Sequence, residues 1–147
     1  MTEETPLLSF KLCSPLEYVK ILYFPEKLAI EDEILLCFDL DPAQSLSIEP
    51  DPEHFLAAQV FIGQKKGGET VEAGKVSENA VLPPGQYIFS QRREKSESPA
   101  GIDCKWRDFA IEQQKDALWE RRKPGNRLYV RFLYEDGAQV TQIFRAL

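Results

Sequence analysis

Apolar positions follow two periods along the chain, and the change from one to the other divides it into elements. Residues 7–13 and 16–24 predict strands, the second rich in β-branched and aromatic side chains (Tyr18, Val19, Ile21, Tyr23, Phe24) and closed by Pro25. Residues 33–40 carry the unbroken run Ile34-Leu35-Leu36-Cys37-Phe38, which in so short a segment predicts a strand covered on both faces. Pro42, Pro50 and Pro52 interrupt the next stretch and leave room for a short edge strand at Leu46-Ser47-Ile48. A strand over 58–64, a turn at 65–69 and a short polar arm over 70–76 come next. Pro84 and Gly85 suit the middle of a type II turn, so the chain enters a strand at Gln86, with Tyr87, Phe89 and Gln91 on one face and Ile88 and Ser90 on the other. Residues 92–101 read as a mobile charged loop and residues 1–6 as disordered.

The period then changes to that of a helix. Residues 103–122 place Ile102, Trp106, Phe109, Ala110 and Ala117 on one stripe, widened by Ile111 and Leu118, and Pro124-Gly125-Asn126 stops the helix. Trp119 falls outside the stripe, near Asp108, Glu112 and Lys115. Residues 127–135 and 138–147 form a hairpin turned at Asp136-Gly137, a pair suited to a type I′ turn. That turn sets Leu133 opposite Val140, Arg131 opposite Gln142 and Tyr129 opposite Phe144, and it aims Leu128, Val130, Phe132 and Tyr134 at the helix. The terminal strand carries apolar side chains on both faces, so it belongs inside the sheet of a monomer; as an edge it would pair two copies into a dimer. The resulting expectation is one α+β domain over residues 1–147, an antiparallel-rich sheet of six to eight strands with one long helix of the C-terminal half on one face.

Composition narrows the function. Of 147 residues, 43% are hydrophobic and 29% charged, the proportions of a single globular domain. A net charge of -6, concentrated in the first 62 residues, disfavours nucleic acid and anionic membrane surfaces as partners. The sequence has neither a secretory signal pattern nor an apolar run of the roughly 18 residues that span a bilayer, so the expected location is cytoplasmic. Cys13, Cys37 and Cys104 are scattered and read as buried thiols, and with one histidine they supply no metal cage. Short signatures of nucleotide binding, hydrolysis or zinc chemistry are missing, and no cofactor is expected. His54 as a base would need a nucleophile and an orienter that the sequence does not place. Arg121-Arg122-Lys123 reads as helix-end charge compensation, and Glu112, Asp116 and Glu120 as a solvated face. These omissions predict a protein that is not an enzyme.

What remains is aromatic content: nine Phe, five Tyr and two Trp. Tyr and Trp join an apolar face to a hydrogen-bonding tip, which suits pockets for flat or cationic organic molecules. From residue 57 onward the order strand, turn, arm, Leu82-Pro83-Pro84-Gly85-Gln86-Tyr87-Ile88-Phe89, loop, helix near Trp106 and closing strand pair resembles the second half of the gyrase-inhibitor-like effector-binding family. That family pairs two strand-helix-strand halves around an aromatic groove for hydrophobic, often cationic compounds. The resemblance implies that Tyr87, Trp106 and Tyr129 line a groove. The chain departs from the family where Arg131 replaces a glutamate on the penultimate strand, and where its first half lacks a long helix. Two readings are open: an effector-binding module for a hydrophobic or aromatic small molecule, using Tyr87, Phe89, Trp106, Trp119, Tyr129 and Arg131; or a protein-interaction or structural domain whose contact surface is Trp119 with the last hairpin.

Overall fold

The computed structural model describes residues 2–23, 31–65, 79–95 and 105–147. In chain order these form β1 (Thr2–Leu12), β2 (Leu16–Ile21), β3 (Glu33–Leu40), β4 (Leu56–Lys65), β5 (Asn79–Leu82), β6 (Gly85–Lys95), α1 (Lys105–Trp119), β7 (Arg127–Glu135) and β8 (Ala138–Ala146). All eight strands belong to one antiparallel sheet in the order β1-β6-β8-β7-β3-β4-β2-β5. Its two ends are joined through the chain. The last pair of β1 with β6 is Leu12 opposite Gly85, and the first pair of β2 with β5 is Leu16 opposite Leu82. β1–β2 and β5–β6 are therefore two halves of one bent ribbon, held at opposite ends of the sheet, and the sheet curls into a half-barrel.

Curling gives two cores. The convex face of β3, β4, β7 and β8 packs Ile34, Leu36, Ile62, Leu128, Val130, Phe132 and Ile143 against Trp106, Phe109, Ala110 and Ile111 of α1. The concave face gathers Tyr18, Leu35, Cys37, Ala80, Leu82, Tyr87, Tyr129 and Phe144, with Leu12, Val60 and Phe89 beside them. β3 is buried from both sides, as its unbroken apolar run requires. Gly63 permits the tightest approach. A Cβ there would lie 2.6 Å from that of Ala80 and 2.8 Å from that of Tyr18, so only hydrogen lets β2, β4 and β5 meet.

The last hairpin has the expected register, Leu133 opposite Val140, Arg131 opposite Gln142 and Tyr129 opposite Phe144, and positive φ at Asp136 (51°) and Gly137 (74°). β8 lies between β6 and β7, so the terminal strand is interior and the edge assignment is excluded. Other expectations are corrected. Leu46-Ser47-Ile48 makes turns instead of an edge strand, because Asp41 collects the local amides: its carbonyl accepts from Gln44 and Ser45, and its carboxylate from Ala43. Residues 92–95 extend β6, and residues 2–5 of β1 pair with residues 91–94, where loop and disorder were expected; the polar sequence conceals backbone pairing that needs no apolar side chain. Asn79–Leu82 is a strand that sequence pattern missed. The arm over 70–76, residues 96–101 of the expected loop, Ile102, Asp103 and Cys104 lie outside the described residues.

Candidate functional site

Concave-facing side chains run in rows across the strands. One row crosses Phe89, Phe144, Tyr129, Cys37 and Phe61, and the next crosses Gln91, Gln142, Arg131 and Leu35. Tyr87, Phe89, Tyr129 and Arg131 are thus brought together. The Tyr87 and Tyr129 rings meet edge to face at 6.1 Å, and Phe89 contacts Phe144 at 5.1 Å. Leu8 and Phe10 of β1 extend this apolar shelf, 45% and 38% exposed. Phe10 lies 5.4 Å from Phe89. The Tyr87 hydroxyl donates to the Pro83 carbonyl.

Arg131 organises the polar row. Its Nη2 donates to Glu33 Oε2 at 2.9 Å, its Nε to the Tyr18 hydroxyl at 3.0 Å and its Nη1 to Gln142 Oε1 at 3.0 Å. Tyr18 donates to the same Glu33 oxygen at 3.0 Å, and Gln142 Nε2 to Gln91 Oε1 at 2.8 Å. Burial pushes the Tyr18 hydroxyl well above its ordinary range. Burial also raises Cys37 to about 12 and, with the neighbouring Cys37 and Tyr87, raises Tyr129 to about 12. At neutral pH these groups are uncharged.

Trp106 is not part of this face. It lies in the convex core, stacked on Phe38 at 5.3 Å, so the sheet separates it from Tyr87 and Tyr129, and both Tyr87 and Trp106 are buried. The family-like groove lined jointly by Tyr87, Trp106 and Tyr129 is therefore not formed. Helix packing on the convex side is the reason.

Trp119 stands apart again. It is 89% exposed at the end of α1 and, with Leu118, Lys115 and Arg121, faces Leu46 (55% exposed) and Ile48 (72% exposed) across a groove of about 550 Å³. The second wall is the segment 41–52. The last hairpin does not contribute, because one of its faces is in each core.

Two buried polar side chains fix that wall. Gln114 Nε2 donates to the carbonyls of Gln44 at 2.8 Å and Ser47 at 2.7 Å, on either side of Leu46. Arg145 is 1% exposed; its Nη2 donates to the Ser45 carbonyl at 2.7 Å, its Nη1 to Gln114 Oε1 at 2.6 Å and its Nε to the Gly125 carbonyl at 2.8 Å. Burial lowers Arg145 to about 10, which still leaves it charged at neutrality. Sequence offered a signal for both: Arg145 is the single charge of its strand, and Gln114 lies between Ala110 and Ala117 on the packed side of the helix.

Other candidates stay at the surface. His54 Nδ1 pairs with Asp51 at 2.6 Å, both exposed. Glu112, Asp116 and Glu120 are exposed, and among the described residues no cluster of His, Cys, Asp or Glu could hold a metal ion. Arg122 pairs with Glu120 at 3.1 Å and donates to Ser9 at 3.0 Å. No helix among the described residues is long and apolar enough to cross a membrane. No family model, curated protein or solved structure matches the chain.

Proposed function

We propose that the protein is a non-catalytic interaction module that docks an apolar segment of a partner protein in the groove between Trp119 and the Leu46–Ile48 wall. The observation that carries this reading is the 89% exposure of Trp119 at the end of α1, facing two further exposed aliphatic side chains, Leu46 and Ile48, on a wall fixed by buried hydrogen bonds. An isolated exposed apolar residue is ordinary, but a contiguous patch with a large aromatic ring is the surface type that partners bury, and tryptophan is enriched among the anchors of such contacts. A preformed wall lowers the ordering cost of binding.

The test is selection of binders from a displayed random-peptide library against the intact protein. Selected peptides are expected to weaken about tenfold or more against Trp119→Ala or Ile48→Asp, the loss typical of an anchor residue. Binders indifferent to both substitutions contradict the reading. A second reading, binding of a hydrophobic or aromatic small molecule, is favoured by the gathering of Tyr87, Phe89, Tyr129 and Arg131 beside the partly exposed Leu8 and Phe10. A lipophilic ligand whose binding is lost in Phe10→Asp and kept in Trp119→Ala would support it.

A further inference from the structure

The groove is apolar along its length and carries two cations, Lys115 and Arg121, with no carboxylate in its lining. Of the other described arginines, Arg92, Arg93, Arg122, Arg127 and Arg131 each hold an acidic side chain within 4 Å, Arg145 donates to neutral acceptors and Arg107 lies over the Trp106 ring. Among the described residues no ion pair involves Lys115 or Arg121. Helix geometry sorts the charges further. At 100° per residue, Lys115 falls between Leu118 and Trp119, on the groove side, while Glu112, Asp116 and Glu120 fall beyond Trp119. The indole therefore divides an acidic flank from a groove whose charges are both positive.

Resting on the docking reading, we infer that the docked segment is an acidic amphipathic one. Its apolar side chains lie against Trp119, Leu46, Ile48 and Leu118, and its carboxylates reach the Lys115 ammonium and the Arg121 guanidinium. A basic segment would meet the two unpaired cations at contact distance, the arrangement that specific interfaces use to reject wrong partners. The net charge of -6 acts in the opposite sense at long range. Screening within about 8–10 Å in physiological salt leaves the local cations in control once the segment is seated.

The experiment uses three peptides that share one face of Leu and Phe and differ only in carrying Glu, Gln or Lys on the other, titrated into full-length Trp106→Phe protein, with Trp119 emission as the signal. Expected is an order of affinity Glu, Gln, Lys, with about tenfold between first and last in moderate salt, shrinking as salt rises. Lys115→Glu with Arg121→Glu, both at exposed positions, is expected to reverse the order. Equal binding of all three, or tighter binding of the Lys peptide, overturns the charge inference while leaving the groove as a docking surface. Failure of every peptide to move Trp119 emission overturns the docking reading and this inference with it.

Discussion

Replacing Arg145 by Met should cost about 3–5 kcal/mol of folding stability. The side chain is 1% exposed, lies 6.0 Å over the Phe55 ring and donates at 2.6–2.8 Å to Gln114 and to the Ser45 and Gly125 carbonyls. Methionine fills a similar volume but donates nothing. Each orphaned acceptor costs about 1–3 kcal/mol, and relief from burying a guanidinium without a carboxylate returns part of the sum. The remainder is about a fifth or more of the roughly 5–15 kcal/mol that holds a typical domain. Urea denaturation followed by circular dichroism reads the stability. Amide exchange at Ser45 and Ser47, whose N–H groups bond within the segment, reads release of the wall. A loss under about 1 kcal/mol with unchanged exchange would refute the argument, since it would mean that the three acceptors find partners without Arg145.

Single side chains elsewhere make three more outcomes measurable. Gly63→Ala should cost about 1–3 kcal/mol by thermal denaturation, because its Cβ would intrude on Ala80 and Tyr18 where backbones cannot part; no loss would contradict the close approach. Arg121 closes α1 in the left-handed region (φ 62°), with Arg122 N–H bonding to the Ala117 carbonyl at 2.8 Å and Arg121 N–H to that of Leu118 at 3.0 Å, so Arg121→Gly should raise stability by about 0.5–1 kcal/mol. A drop in melting temperature would refute it. Cys37 keeps its proton to about 12 when folded against an ordinary value of 9.0, so from pH 9 upward the unfolded chain releases a proton that the folded chain retains. Stability should therefore be intact below pH 9 and fall by about 1.4 kcal/mol per pH unit between pH 9 and 10, before the buried Tyr18 and Tyr129 phenols add to the slope, and Cys37→Ala should flatten it in that window. An unchanged slope in the variant would place the thiol in solvent.

Legibility of the fold follows the strength of local chemistry. Asp136-Gly137 admits one tight turn, and from it every facing pair of the last hairpin is set, including which face meets α1. The helix is legible from its apolar spacing, although Gln113 and Gln114 have the polarity of solvated positions and are buried, spent on hydrogen bonds to the sheet and to the 41–52 segment. Residues 2–5 and 92–95 are illegible because their pairing is made by backbone groups, on which the polar sequence leaves no trace. The site is half legible. Tyr87, Phe89, Tyr129 and Arg131 share a face by alternation alone, whereas the expected union of Trp106 with them fails because sequence does not say on which side of the sheet a helix packs. Trp119 is conspicuous in sequence as an apolar side chain off the helix stripe, but its facing wall has the pattern of an edge strand, since the tether from Arg145 spans 100 residues of sequence.

The most direct test of the docking claim is the emission of Trp119 in Trp106→Phe protein saturated with a library-selected peptide. Docking in the groove predicts a blue shift and protection from acrylamide quenching, both absent when Ile48→Asp is introduced. A peptide that binds with undiminished affinity while Trp119 remains red-shifted and freely quenched would place the contact elsewhere and contradict the claim.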